Sequence, residues 1–119
     1  MGASGGIIVF NANQVRENWK EIREKCIKFT KVEINKNDSE FSVEFHKQSL
    51  IKLKNTPKRI DTNEQLVKVL RSFMRNCDLP YSLGDNLICS YGDYTFDYHE
   101  IYCSVIRSIV EYKHIETWT

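Results

Sequence analysis

The spacing of apolar residues changes along this chain, and that change limits most strongly what it can fold into. In residues 15–29 the apolar side chains recur at steps of four and three, which is the period of one face of a helix. These positions are Val15, Trp19, Ile22, Cys26 and Phe29. At residues 32–34, 41–45 and 51–53 apolar and polar residues alternate instead, as in strands with one buried face. The sequence therefore predicts both helices and strands.

The first half of the chain is predicted to contain strands on both sides of that helix. Residues 6–10 are mostly apolar and β-branched, which is typical of a short strand. A polar turn separates the alternating stretches at 32–34 and 41–45, so these two are predicted to form a β-hairpin. Alternation at 51–53 predicts a further strand, which ends before Pro57.

The second half is predicted to contain a helix, a hairpin and a final element of either type. Residues 62–65 fit a capping box and precede an apolar helical face. The dipeptide Gly92-Asp93 fits a tight turn between strands at 87–91 and 94–98. Residues 99–113 carry a helical apolar stripe but are rich in β-branched residues, so helix and strand both remain open there.

This order of elements predicts one α+β domain over residues 1–119. The sheet is expected to be mostly antiparallel, with two or three helices packed on one face. Hydrophobic residues make up 41% of the chain and charged residues 28%, as in ordinary folded proteins. No apolar run is long enough to cross a bilayer, no signal peptide is recognisable, and the cysteines lack C-x-x-C spacing. We therefore expect a cytoplasmic protein with reduced thiols and no membrane partner.

The charges are distributed unevenly along the chain. Residues 1–76 contain fifteen Lys and Arg against nine Asp and Glu, whereas residues 77–119 contain two against seven. Between Arg75 and Arg107 the only basic side chain is His99, and carboxylates are interleaved there with aromatic residues. Such a surface is typical of one that binds a basic protein, because opposite charges steer the encounter and aromatic side chains anchor the complex. The predicted partner-binding residues, which we call the acidic-aromatic segment, are Asp85, Tyr91, Asp93, Tyr94, Asp97, Tyr98 and Glu100.

No residue pattern indicates catalysis. The glycines at 2–6 precede a strand instead of joining a strand to a helix, so they do not fit a phosphate-binding loop. The three histidines are far apart in sequence, and no local motif links them. Asp93, Asp97 and Glu100 are too loosely spaced to indicate a metal site. The sequence therefore predicts a protein that is not an enzyme and that has neither a metal nor a cofactor.

A short single domain with an acidic-aromatic segment and no catalytic motif resembles the small bacterial immunity proteins. Such proteins bind a cognate toxin domain, often a basic nuclease, and block its active site. The resemblance rests on overall size and on the seven residues of the segment. It implies that carboxylates take the place of substrate phosphates and that aromatic rings exclude water from the contact. The implied partner is a basic toxin domain, and nucleic acid is not expected to bind.

Three alternatives remain open. In the first, the aromatic residues of the segment belong to the core and the carboxylates form a solvated rim. In the second, a basic strand face binds nucleic acid or serves a regulatory role, although no aromatic residue is interleaved for base stacking. That basic run comprises Lys47, Lys52, Lys54, Lys58 and Arg59. In the third, His46 or His99 serves a small nuclease-like enzyme.

Overall fold

The computed structural model describes residues 4–36, 39–74, 80–92 and 96–118. In chain order its elements are β1 (Ser4–Asn11), α1 (Ala12–Glu17), α2 (Trp19–Lys36), α3 (Glu40–Lys54), α4 (Asn63–Phe73), β2 (Tyr81–Leu83), β3 (Asn86–Gly92), α5 (Phe96–Arg107) and β4 (Tyr112–Trp118). The predicted α+β class with an antiparallel sheet is confirmed. The described part of the chain contains five helices, so the expected number of two or three is too low.

The strand nearest the start of the chain lies in the middle of the sheet, whose order is β2-β3-β1-β4. β1 pairs antiparallel with β3 on one side and with β4 on the other. Phe10 lies opposite both Leu87 and Tyr112 in this register. Because successive strand residues point to opposite faces, the even-numbered positions of β1 lie on one face of the sheet and the odd-numbered positions on the other.

The helices cover the face of the sheet that carries the even-numbered positions of β1. Ile8 and Phe10 are buried there, together with Leu87 and Cys89 of β3. Core side chains from the helices are Val15, Trp19, Ile22, Cys26, Leu53, Leu66, Leu70, Phe73, Tyr102, Cys103 and Ile106. The core of the protein therefore lies between this face and the helical layer.

The amphipathic helix predicted for residues 15–29 is present, with one interruption. The buried residues of its stripe are Val15, Trp19, Ile22 and Cys26. Asn18 ends α1 with φ −102° and ψ 13°, yet its carbonyl still accepts a hydrogen bond from the Ile22 N–H. The apolar stripe therefore continues from α1 into α2.

The capping box predicted at residues 62–65 begins α4. The Thr62 hydroxyl accepts a hydrogen bond from the Gln65 N–H at 3.1 Å, and the Gln65 side-chain oxygen accepts one from the Asp61 N–H at 3.0 Å. The first contact satisfies a backbone donor that the start of a helix leaves without a partner, and the second ties the residue before the cap to the helix. The buried face of α4 consists of Leu66, Val69, Leu70 and Phe73.

The strands predicted at 32–34, 41–45 and 51–53 are wrong, because the first stretch lies within α2 and the other two within α3. The buried side chains of α3 are His46, Ser49 and Leu53. Polar residues thus form much of its inner face, while Phe41 and Ile51 are 77% and 54% exposed. The spacing of the apolar residues alone therefore does not reveal the buried face of α3.

The sequence contains two Gly-Asp dipeptides, and the hairpin turn forms at the first instead of the predicted second. Gly84 and Asp85 form a two-residue loop between the paired strands β2 and β3. Gly84 has a φ of +60°, a left-handed conformation that glycine adopts without steric cost. The predicted strand at 94–98 is wrong for residues 96–98, because α5 begins at Phe96, and residues 94 and 95 lie outside the described residues.

For residues 99–113 the sequence allowed either a helix or a strand. In the structure this stretch contains the end of a helix and then the start of a strand. Buried residues of α5 include Tyr102, Cys103, Val105 and Ile106. The helix ends at Arg107. In the turn that follows, the Val110 N–H donates a hydrogen bond to the Ile106 carbonyl. β4 begins at Tyr112. The β-branched residues of this stretch lie in α5 or in the turn after it, and only Tyr112 and Lys113 of the stretch belong to β4.

Candidate functional site

The acidic-aromatic segment begins at the turn between β2 and β3. Asp85 is exposed there, and its backbone carbonyl accepts a hydrogen bond from the Ala12 N–H at 2.8 Å, which ties the turn to the start of α1. Asp93 and Tyr94 lie outside the described residues. The backbone but not the side chain is described for Tyr91 in β3 and for Asp97, Tyr98 and Glu100 in α5.

The fold separates the two ends of this segment. Asp85 directly precedes β3, whereas α5 starts only after β3 has ended at Gly92. The seven residues of this strand span about 20 Å. Asp85 and the first turn of α5 therefore lie at opposite ends of β3.

A groove lined by basic side chains lies between the α1–α2 region and the segment 57–61. It consists of two adjoining hollows of about 580 and 370 Å³ that share Lys20 and Lys58. Its five cations, which together define the basic groove, are Arg16, Lys20, Arg23, Lys58 and Arg59. The carboxylates that also line it are Glu17, Glu24 and Asp61. Five positive and three negative groups give the groove a formal charge of +2.

Neutral oxygen atoms hold the Arg16 side chain in place. Its Nε donates to Asn63 Oδ1 at 2.8 Å, and its Nη1 donates to the Asp61 backbone carbonyl at 3.1 Å. Its Nη2 donates to Asn13 Oδ1. These bonds use three of the five N–H groups of a guanidinium and leave two for a ligand.

Neutral acceptors also hold Arg23, seven residues further along the chain. Its Nε donates to Thr56 Oγ1 at 3.0 Å, and its Nη2 donates to the Lys54 backbone carbonyl at 3.1 Å. In the part of the chain that the structure describes, no carboxylate lies within ion-pair distance of Arg16 or Arg23. Both guanidinium groups are therefore fixed in position while keeping their full positive charge.

The segment that carries Lys58 is anchored by Trp19. The indole Nε1 donates a hydrogen bond to the Pro57 backbone carbonyl at 2.8 Å, and the indole is only 1% exposed. Lys58 follows directly and is exposed. Arg59 adds less to the charge of the groove, because its Nε lies 2.8 Å from Asp61 Oδ1.

The sequence indicated only two of the five groove cations. Lys58 and Arg59 belong to the predicted basic run, but the expectation of a strand face for that run is wrong. Its other members lie on α3 and are Lys47, Lys52 and Lys54. The prediction missed Arg16, Lys20 and Arg23, although their spacing of four and three residues places them on one helical stripe.

Three free cysteines are buried in the core. They lie in different elements, with Cys26 in α2, Cys89 in β3 and Cys103 in α5. Burial raises the pKa of the Cys26 thiol to about 12. A hydrogen bond with Cys89, reinforced by burial, raises the pKa of Cys103 well above its usual value. The thiols of Cys26 and Cys103 therefore stay protonated at neutral pH, and all three side chains pack as small apolar groups.

The histidines lie on separate elements. His46 is buried on α3, where its ring packs edge-on against Phe45 with 5.6 Å between centroids. His114 is exposed on β4, and His99 lies in α5, where its side chain is not described. Within residues 4–36, 39–74, 80–92 and 96–118, no three His, Cys, Asp or Glu side chains are placed to hold a metal ion.

Comparisons with known proteins identify no relative of this chain. No protein-family model, no curated protein and no solved structure matches the chain. Among the described helices, none combines the length and the apolar character needed to cross a membrane.

Proposed function

We propose that this protein binds the phosphate backbone of nucleic acid in the basic groove. The observation that carries the proposal is the fixing of Arg16 and Arg23 by neutral oxygens. A guanidinium that is already held loses little further side-chain freedom when a phosphate binds. Seven residues of nearly continuous helix place the two arginines about 10 Å apart along the helix axis, close enough to contact nearby phosphates of one strand. Lys20 lies between them in the sequence and also lines the groove.

Binding in this groove is expected to depend on charge and not on base sequence. The aromatic side chain that lines the groove among the described residues is Trp19, and its burial leaves no ring for base stacking. Phosphate contacts position a nucleic acid without reading its sequence. Arg16, Lys20, Arg23 and Lys58 can each contact one phosphate. With four such contacts, a plot of the logarithm of the association constant against the logarithm of the salt concentration should have a slope of about −3.

Neutralising the two exposed lysines of the groove tests this proposal. We expect Lys20→Gln combined with Lys58→Gln to weaken binding of a fluorescein-labelled single strand of about 20 nucleotides at least about tenfold. The magnitude of the salt slope should fall by about 1.5, because two of the four phosphate contacts are lost. Both side chains are exposed, so folding should be preserved. Fluorescence anisotropy at several salt concentrations measures both quantities.

A matched control uses the same helix. Lys28→Gln combined with Lys31→Gln removes two exposed charges from α2 outside the groove, and the affinity should stay within about twofold of the parent. Equal losses in the two double variants would show that overall charge, and not the groove, attracts the nucleic acid. A parent protein that shows no saturable binding at low salt would contradict the proposal outright.

A second candidate function is inhibition of a basic protein, such as a toxin domain, through the acidic-aromatic segment. The charge separation favours it, because residues 77–119 carry two Lys and Arg against seven Asp and Glu. In this candidate the carboxylates around the start of α5 occupy the positions of substrate phosphates on the partner. Asp85 would contact the partner separately, because it lies at the other end of β3.

Reversing two charges of the segment tests this second candidate. We expect Asp93→Lys combined with Asp97→Lys to weaken binding to a basic partner at least about a hundredfold, because desolvated charge pairs across an interface contribute strongly. The melting temperature should change little if these carboxylates are solvated in the free protein. The partner is recovered by pull-down from the native host and titrated by calorimetry. Full affinity in the double variant would exclude this segment, and Asp85→Lys tests its other end independently.

A further inference from the structure

One face of the sheet is apolar and is not covered by the helices. It carries the odd-numbered positions of β1 and the residues that pair with them in β2, β3 and β4. The described side chains of this open face are Ile7, Val9, Asn11, Tyr81, Leu83, Asn86, Ile88, Lys113 and Ile115. Leu83, Ile115 and Tyr81 are 64%, 51% and 42% exposed, whereas Ile7, Val9 and Ile88 are half-buried.

The composition of the open face differs from that of a solvated sheet surface. An antiparallel sheet with one wet side normally alternates apolar and polar residues along each strand. Residues 7–10 are Ile-Ile-Val-Phe, apolar on both faces, which is typical of a strand covered on both sides. Among the described side chains of the open face, Lys113 alone is charged. A contiguous apolar surface of this kind marks a contact site.

We propose that the open face packs against the open face of a second copy of this chain. Two identical apolar surfaces related by a two-fold axis present the same residues to each other, as in an isologous dimer contact. Sheets stack face to face at about 10 Å, and the helices would remain on the outside of the pair. Charge does not oppose the contact, because each chain carries a formal net charge of only +1 and Lys113 lies on the edge strand β4.

The size of the face predicts a reversible dimer. The four strands contain 25 residues, and each strand residue covers about 16 Å² of the sheet plane. Each copy therefore contributes about 400 Å², and the pair buries on the order of 800–1,000 Å². Stable complexes bury about 1,200–2,000 Å², so we expect a dissociation constant of about 10–100 µM. With this contact area we expect monomer and dimer to be in equilibrium, and not a permanent dimer.

Sedimentation equilibrium of the full chain between about 5 and 500 µM tests the proposal. The parent should shift from mostly monomer to mostly dimer over this range. Ile115→Lys and Leu83→Lys place a charge on the open face at opposite edges of the sheet, and each should raise the dissociation constant at least about tenfold. Ile51→Lys on α3 is the matched control, because Ile51 is 54% exposed against 51% for Ile115. This control should dimerise like the parent.

The possible outcomes decide between a second copy and other occupants. A parent that stays monomeric at 500 µM overturns the proposal, and so does a dimer that only Ile51→Lys weakens. Binding of the monomeric parent to phosphatidylcholine vesicles, lost in Ile115→Lys, would instead identify a lipid surface as the occupant. Circular dichroism melting shows whether each variant is folded. If Ile115→Lys unfolds, Leu83→Lys still decides, because Leu83 is 64% exposed in a three-residue edge strand.

Discussion

Replacing Trp19 with Ala is expected to lower the free energy of unfolding by about 3–5 kcal/mol. The indole is 1% exposed, and its ring centroid lies 6.3 Å from that of Phe73. It also donates a hydrogen bond to the Pro57 carbonyl. Truncation therefore opens a cavity in the core and removes a partner from a backbone acceptor. Denaturant unfolding followed by circular dichroism measures the loss.

A smaller change at the same position separates these two effects. Trp19→Phe keeps an aromatic ring in the core but cannot donate to Pro57, so we expect a loss of about 1–2 kcal/mol. A loss below about 1 kcal/mol for Trp19→Ala would show that the indole does not anchor the core.

Truncating Phe73 to Ala is expected to have an effect of similar size, about 3–5 kcal/mol. Phe73 is 1% exposed and packs edge-on against Tyr102, with 5.1 Å between ring centroids. The Tyr102 hydroxyl lies 3.0 Å from the Thr30 hydroxyl, which also donates to the Cys26 carbonyl. Loss of the Phe73 ring therefore disturbs the contact that joins α2, α4 and α5. Thermal and denaturant unfolding measure the effect.

Two further variants make the Phe73 prediction specific. Phe73→Leu keeps most of the volume and should cost less than about 1.5 kcal/mol. Combining Trp19→Ala with Phe73→Ala should depart from additivity by at least about 0.5 kcal/mol, because the two cavities share a wall. Strictly additive losses would mean that the two rings stabilise the core independently.

The sequence predicted those elements whose local signals agree with one another. The α1–α2 region has an unbroken apolar stripe, and α4 combines such a stripe with a capping box at Thr62. α3 was missed because its inner face includes His46 and Ser49, whereas Phe41 points to solvent. The late hairpin was misplaced because Gly84-Asp85 and Gly92-Asp93 carry the same turn signal, and only strand pairing distinguishes them.

The candidate site depends on contacts that no local pattern encodes. Arg16 is held by Asn63, 47 residues further along the chain, and Arg23 is held by Thr56, 33 residues further along. Helical spacing could have placed these cations on one stripe, but not opposite Lys58. The acidic-aromatic segment as a partner-binding surface stays a prediction.

The central position of β1 has a consequence for the order in which the chain acquires structure. During synthesis β1 emerges before the other three strands, yet its neighbours in the sheet come late, and Ser4 pairs with Trp118. The α2–α3 pair needs only contacts that are close in sequence and can form early, whereas the sheet must wait for its final strand. Until β3 has been made, residues 7–10 are an unpaired apolar strand, and until β4 has been made one edge of β1 stays open. Such segments aggregate or engage chaperones. The most vulnerable stage for this protein is therefore the nascent chain before β3 and β4 have been made.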